Sequence, residues 1–218
     1  QRQMCIRDSD ISGQVRTGKV MLYNPENGRR IKEPHNYITW VHSLLKKENF
    51  HLRQCLFGEH LLSSDQQRPI ALVESEKSAL ISSFYLPQYL WIASGGKNGA
   101  FNRDAMSVLR NRRVLLFPDL GATDYWNSKI EMIRSLGIEV SLFDFMERNA
   151  TKEERDAGYD IADFLLREET KEAIFNRLIT LNPALKTLVE TFDLQLVNVE
   201  KAPLSATVQH TRKELFKQ

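Results

Sequence analysis

The sequence predicts an α/β fold: a mostly parallel sheet sandwiched by helices, preceded by a small N-terminal β-hairpin and helix subdomain and followed by a helical extension. Two observations predict the sheet. Four short apolar runs, Ile70–Val73, Tyr89–Ala93, Val114–Phe117 and Ile138–Phe143, are separated by helix-like segments, the alternation that builds a parallel sheet. The first three runs are continuously apolar, as strands covered on both faces are, whereas Glu139 and Ser141 interrupt the fourth. A third observation sets the flanks. A turn sequence lies between strand-like runs near the start, and helical spacing resumes after residue 168.

Taken in order, Gln1–Ser9 (QRQMCIRDS) lacks the apolar core of a signal peptide. It resembles adapter-derived sequence and is left outside the fold, with the native N-terminus expected to be missing. Val15–Tyr23 and Arg29–Lys32 flank Asn24-Pro25-Glu26-Asn27-Gly28, which predicts a hairpin. Ile38, Val41, Leu44 and Leu45 have helical spacing. Cys55–Leu62 reads as a turn or short helix. The strand at Ile70 passes at Glu74 into a helix near Ser75–Tyr85, stopped by Pro87. A short helix near Asp104–Leu109 precedes the third strand. A longer one, Thr123–Leu136, carries Trp126, Ile130, Ile133 and Leu136 on one side, and Gly137 closes it. Asp160 caps a further helix. Residues 170–192 are helical with a break at Asn182-Pro183, and the tail from about Ala202 has little periodicity. The domain plan is therefore 1–9 leader, 10–66 hairpin-helix subdomain, 67–168 α/β domain, and 169–218 extension and tail.

The 218 residues are 42% hydrophobic and 27% charged, with a net charge of +2, so a packed core is expected rather than disorder. Residues 1–50 hold nine Lys/Arg against five Asp/Glu, a basic bias that suits either phosphate binding or a solvated face. Two cysteines with no CxxC pair exclude a zinc site and point to a reduced, cytoplasmic protein. No run approaches the ~20 apolar residues of a membrane span.

The chemistry concentrates where strands end. Ligands of parallel α/β sheets bind outside the carboxyl ends of the strands. Glu74, Asp119 and Asp144 each follow a strand, and Asp160 opens a helix. Carboxylates on neighbouring strand ends would stand ~5 Å apart and repel by about 3 kcal/mol at an effective dielectric of about 20. A cation relieves such a pair. Magnesium takes oxygen ligands and often needs only one or two carboxylates beside a phosphate. The alternative is that each acid caps a helix or meets its dipole, and for Asp160 the cap is the stronger reading. Ser94-Gly95-Gly96-Lys97-Asn98-Gly99 could turn backbone N–H groups and the Lys97 charge towards an anion, although it lacks the P-loop spacing. Lys77 could reach a phosphate or pair with an acid.

Val73-Glu74-Ser75-Glu76-Lys77-Ser78-Ala79 and Leu115-Leu116-Phe117-Pro118-Asp119 resemble the first two motifs of the Toprim fold of primases, topoisomerases and related nucleases. Ser94–Gly99 and Asp160-Ile161-Ala162-Asp163 are similar to its phage-type variants. Gly18-Lys19-Val20-Met21, Trp40-Val41-His42-Ser43, Gln54–Leu62 and Phe117–Ala122 resemble an uncharacterised Toprim-like family of bacterial mobile and conjugative elements. The resemblance implies Mg-dependent (or Mn-dependent) phosphoryl or nucleotidyl transfer on nucleic acid, with Glu74 and Asp119 catalytic. Glu74, Asp119 and Asp160 would hold the metal. Lys77, Gly95, Gly96 and Lys97 would contact phosphates. Single-stranded DNA, nucleotides and replication or conjugation proteins would be the partners. One position departs from the pattern: Gly121 stands where the second acid of Asp-x-Asp is expected. That departure keeps open a module that binds nucleic acid without turnover. A structural interaction protein whose acids are only caps is a third possibility.

Overall fold

The computed structural model describes residues 2–25, 30–46, 48, 50–96, 99–167 and 171–196. The chain forms two compact units, residues 1–168 and 169–218. The first contains two sheets. β1 (Arg2–Ser9), β2 (Val15–Tyr23) and β3 (Ile38–Trp40) form an antiparallel sheet in that order. β4 (Ile70–Val73), β5 (Leu90–Ala93), β6 (Arg113–Phe117) and β7 (Glu139–Leu142) form a parallel sheet ordered β5-β4-β6-β7.

The centre of the parallel sheet is covered on both faces, as the continuous apolar runs of β4 and β5 require, while Glu139 and Ser141 of β7 are exposed. All four residues of β4 are fully buried. Side chains alternate across the sheet. Ile70, Leu72, Ile92, Val114 and Leu116 pack on one side with Met106, Leu109, Trp126 and Ile133. Ala71, Val73, Trp91, Ala93 and Phe117 pack on the other with Ala79, Met146 and Ile161. The covering helices are α2 (Glu76–Tyr85), α3 (Arg103–Met106), α4 (Thr123–Asn127), α5 (Ile130–Arg134), α6 (Phe145–Asn149), α7 (Lys152–Asp156) and α8 (Ile161–Leu165). α2 begins where the sequence places it. The Ser75 hydroxyl accepts from Ser78 N–H at 3.1 Å, and the helix ends at Tyr85, just before Pro87. The outer edge of β5 is closed by a loop: Phe57 and Ala93 exchange two backbone hydrogen bonds, of 2.9 and 3.1 Å. Gly58 follows at φ +82, so close that a Cβ would sit 3.2 Å from the Trp91 carbonyl oxygen.

Four expectations are corrected. Arg2–Ser9, left outside the fold, pairs along β2 from Arg2↔Tyr23 onward. β2 thus finds its main partner in β1, whereas Arg30 contributes only an isolated bridge to Tyr23; the expected turn at Asn27-Gly28 lies outside the described residues. The helical spacing at 38–45 yields a short strand and one helical turn, α1 (Val41–Leu44). The reason is pairing: Ile38 and Trp40 stand opposite Met21 and Lys19, while Leu44 and Leu45 are 59% and 61% exposed and hold no helix against a core. The single helix expected over Thr123–Leu136 is broken into α4 and α5, with Lys129 N–H bonded three residues back to Trp126. Its apolar side survives the break, because Trp126 and Ile133 both remain fully buried.

In the second unit, α9 (Lys171–Leu181) and α10 (Pro183–Phe192) are separated by Asn182. Asn182 caps α10 through Leu185 N–H at 3.2 Å, with Pro183 at the first helical position. The tail from Ala202 lies outside the described residues.

Leu116→Ala, at a fully buried position, is expected to lower stability by about 2–5 kcal/mol. Leu44→Ala should change it by less than about 0.5 kcal/mol. Urea denaturation midpoints with unchanged m-values would check both.

Candidate functional site

The register of the parallel sheet decides which acids meet. Val73 of β4 stands opposite Phe117 of β6, so Glu74 and Asp119 leave adjacent strands at the same edge. Both line a cavity of about 880 Å³. Asp119 is half-buried. Burial, then the charges of Glu74, Asp160 and Asp163, push its carboxyl up to about 8, with Lys77 acting in the opposite direction. Asp144, also weighed in the sequence, is not among the residues lining this cavity and pairs with Arg148 at 2.9 Å.

Asp160 lines the cavity as the N-cap of α8. Its Oδ1 accepts from Asp163 N–H at 3.1 Å, and its Oδ2 accepts from the Ser78 hydroxyl at 2.6 Å. Because Ser78 lies on α2 and contacts the Ser75 hydroxyl at 2.6 Å, this chain fixes α8 against the helix that follows Glu74. Lys77 sits between two carboxylates, 3.9 Å from Asp160 Oδ2 and 3.8 Å from Asp163 Oδ1. Both separations exceed hydrogen-bond length, so its ammonium is balanced by charge without being locked in place.

The glycine turn, expected to cradle an anion, has one of its N–H groups already engaged. Gly95 and Gly96 take φ +78 and +130, values that favour glycine. Yet the Gly96 N–H donates to the Glu74 carbonyl at 2.9 Å, and the Gly95 carbonyl accepts from Lys19 Nζ at 2.7 Å. The turn therefore orients the Glu74 backbone. Lys97 lies outside the described residues.

Lys19 was not singled out by the sequence. It extends from β2 and also donates to Glu76 Oε1 at 2.6 Å. Both side chains are nearly buried, at 9% and 6% exposure. Its ammonium lies 5.2 Å from the Trp40 ring centroid. Tyr23, Arg30 and Lys32 join it on the cavity wall. A lysine inside a strand run was the available signal; its partner Glu76, 57 residues later, was not.

Gly121 occupies the expected second-acid position at φ +80, and its N–H donates to Glu147 Oε2 at 2.9 Å. A Cβ there would meet nothing within 4 Å, so an aspartate would be disfavoured by backbone conformation rather than by space.

Among the described residues, no group of three or more His, Cys, Asp or Glu gathers closely enough to hold a metal ion. A cage built from protein alone is not present there. The donor set that does converge, Glu74 with Asp119, consists of hard carboxylate oxygens. It fits magnesium, which needs few protein ligands and takes the remainder from water and phosphate.

The fold and the edge define an α/β domain with paired acids at the carboxyl ends of adjacent parallel strands. The chain belongs to the family described as a domain of unknown function, DUF6371, matched over residues 2–120. None of the curated proteins matches it. Among solved structures it is similar to the zinc-binding and RNA polymerase domains of the Aquifex aeolicus primase, at 16% identity over 87% of this chain and 44% of that one, with a TM-score of 0.47. It is also similar to the primase fragment of the bacteriophage T7 primase-helicase protein (14% identity, 72% and 61% covered, TM-score 0.38) and to the E. coli primase catalytic core (17%, 84% and 62%, TM-score 0.40). The chain spans less than two thirds of the length of each of these three.

Two outcomes are expected. A carboxyl raised from 3.8 to about 8 makes its full contribution to stability below its unfolded pKa and loses it as pH rises through the folded value. In EDTA, the stability of Asp119→Asn relative to the parent should therefore climb across that window in paired thermal melts. Lys19→Met leaves Glu76 buried without its cation and should cost about 3–5 kcal/mol, whereas Lys19→Met with Glu76→Leu should recover most of the loss. Urea midpoints of the two variants measure the difference.

Proposed function

We propose that this chain is a primase-like Toprim domain of mobile-element DNA metabolism, carrying Mg-dependent phosphoryl or nucleotidyl transfer on nucleic acid. The observation that carries the reading is the pairing of Glu74 with Asp119 on adjacent strands at one cavity. Asp119, crowded beside Glu74 until it resists ionisation, would gain from the positive charge of a divalent ion. Glu74 and Asp119 would hold magnesium, or manganese in its place, and the ion when bound would neutralise charge on a phosphoryl group. Glu74 could alternatively serve as the general acid or base. Asp160 would assist from behind, holding Lys77 and the first turn of α2, and Lys77 would turn from its acids towards a phosphate. Lys97 keeps its proposed phosphate role on the resemblance alone. Nucleotides, single-stranded DNA and replication or conjugation proteins are the partners this reading proposes, in the cytoplasm.

A second reading, a nucleic-acid-binding module without turnover, is favoured by one observation. Gly121 removes an acid from the edge and sits in a backbone conformation that glycine prefers. The two separate cleanly. For the enzyme, magnesium binds saturably by calorimetry, and Glu74→Gln or Asp119→Asn abolishes that binding. Polymerisation or nuclease activity on single-stranded DNA should then fall by about 100-fold or more. For the module, DNA binding weakens with salt and ignores both magnesium and Glu74→Gln.

A further inference from the structure

The wall opposite the acids has a chemistry of its own. Lys19, Met21 and Tyr23 alternate along β2 and so share one face. Ile38 and Trp40 stand opposite Met21 and Lys19 on β3, which puts them on the same face. All five line the cavity. Met21 is buried, while Tyr23, Ile38 and Trp40 are half-exposed. The one cation among the five is already occupied, since Lys19 is bonded to Glu76 and to the Gly95 carbonyl. What remains is an apolar, aromatic surface facing an edge of carboxylates.

Tyr23 stacks on no other ring among the described residues and lines the cavity. Arg30, held to Tyr23 by a backbone bridge, has a buried Nε with no hydrogen-bond partner among the described residues. A buried donor is seldom left without an acceptor, and Arg30 is among the residues lining the cavity. At about 880 Å³ the space falls within the roughly 300–1,000 Å³ of small-molecule sites.

We infer that Tyr23 and Trp40 form the seat of a nucleobase whose attached phosphate reaches the Glu74–Asp119 edge, an inference that rests on the phosphate-site reading above. The ligand class is a phosphate-bearing base, either a free nucleotide or the end of a single strand. Rings take the base by stacking without regard to its identity, Arg30 Nε finds its acceptor on the ligand, and the acids hold the charged end through a divalent ion.

The test uses the full chain with magnesium and three probes: ATP, inorganic tripolyphosphate and a short oligothymidylate. Tyr23→Leu and Trp40→Leu are each expected to weaken ATP or oligothymidylate binding about tenfold or more and to leave tripolyphosphate unchanged. Tyr23→Phe and Trp40→Phe keep a ring and should keep the affinity, so a loss caused by misfolding is recognised by its appearance in tripolyphosphate binding and in thermal melts. Because Trp91 and Trp126 are buried at 4% and 0% exposure, ligand quenching of tryptophan fluorescence should vanish in Trp40→Phe while calorimetric binding persists. Binding of ATP alone identifies a free nucleotide, and binding of the oligomer alone a strand. If tripolyphosphate binds as tightly as both, or the leucine variants bind like the parent, the base seat is overturned and the phosphate site stands. If none of the three binds, both fall.

Discussion

The buried contact between Lys19 and Glu76 joins the antiparallel sheet to the start of α2, the helix that follows β4 of the parallel sheet. A buried ion pair is not stabilising by default, because desolvating both ions can exceed their attraction. Here the ammonium has three partners: a carboxylate oxygen at 2.6 Å, the Gly95 carbonyl at 2.7 Å and the Trp40 ring. That saturation is what makes the burial tolerable. Asp8 adds to the demand for positive charge, being buried near the same pair and pushed up to about 6 by desolvation and then by Glu76. With Lys19 in place, the antiparallel sheet becomes one wall of the cavity and the carboxyl edge of the parallel sheet becomes its floor.

The floor shows a second balance. Parallel strands bring Glu74 and Asp119 together by register alone, and their repulsion is left partly unrelieved, with Lys77 between other acids. Asp160 has the opposite character. It is held by Ser78 and by its own helix, so its charge is compensated locally. Of the acids at one edge, Asp160 is held by donors of its own surroundings while Asp119 is held from ionising beside Glu74, and Asp119 is where a cation gains most by binding.

Much of the fold was legible because it depends on local pattern. The parallel strands follow from apolar runs that alternate with helical segments, α2 from Ser75 and Pro87, and α8 from the Asp160 cap. The elements that sequence misplaced depend on distant partners. Ile38 obeys helical spacing with Val41 and Leu45 but is claimed, with Trp40, by β2, and Arg2–Ser9 has no pattern of its own yet finds a strand to pair with. The site divides in the same way. Glu74 and Asp119 were legible because strand ends are where such sheets bind ligands. Lys19, Tyr23, Arg30 and Trp40 were not, because only the packing of one sheet on another brings them to the cavity.

The loop that closes β5 bears on how copies of this protein meet. A free outer strand is a template on which another chain can pair. On β5 the outward backbone groups of Ala93 are taken by Phe57, and Gly58 lies against the carbonyl of Trp91. A side chain at Gly58 would crowd that carbonyl and strain a backbone at φ +82. The parallel sheet is thereby guarded on this side against edge-to-edge aggregation, by a turn three dozen residues away in sequence rather than by charge on the strand itself.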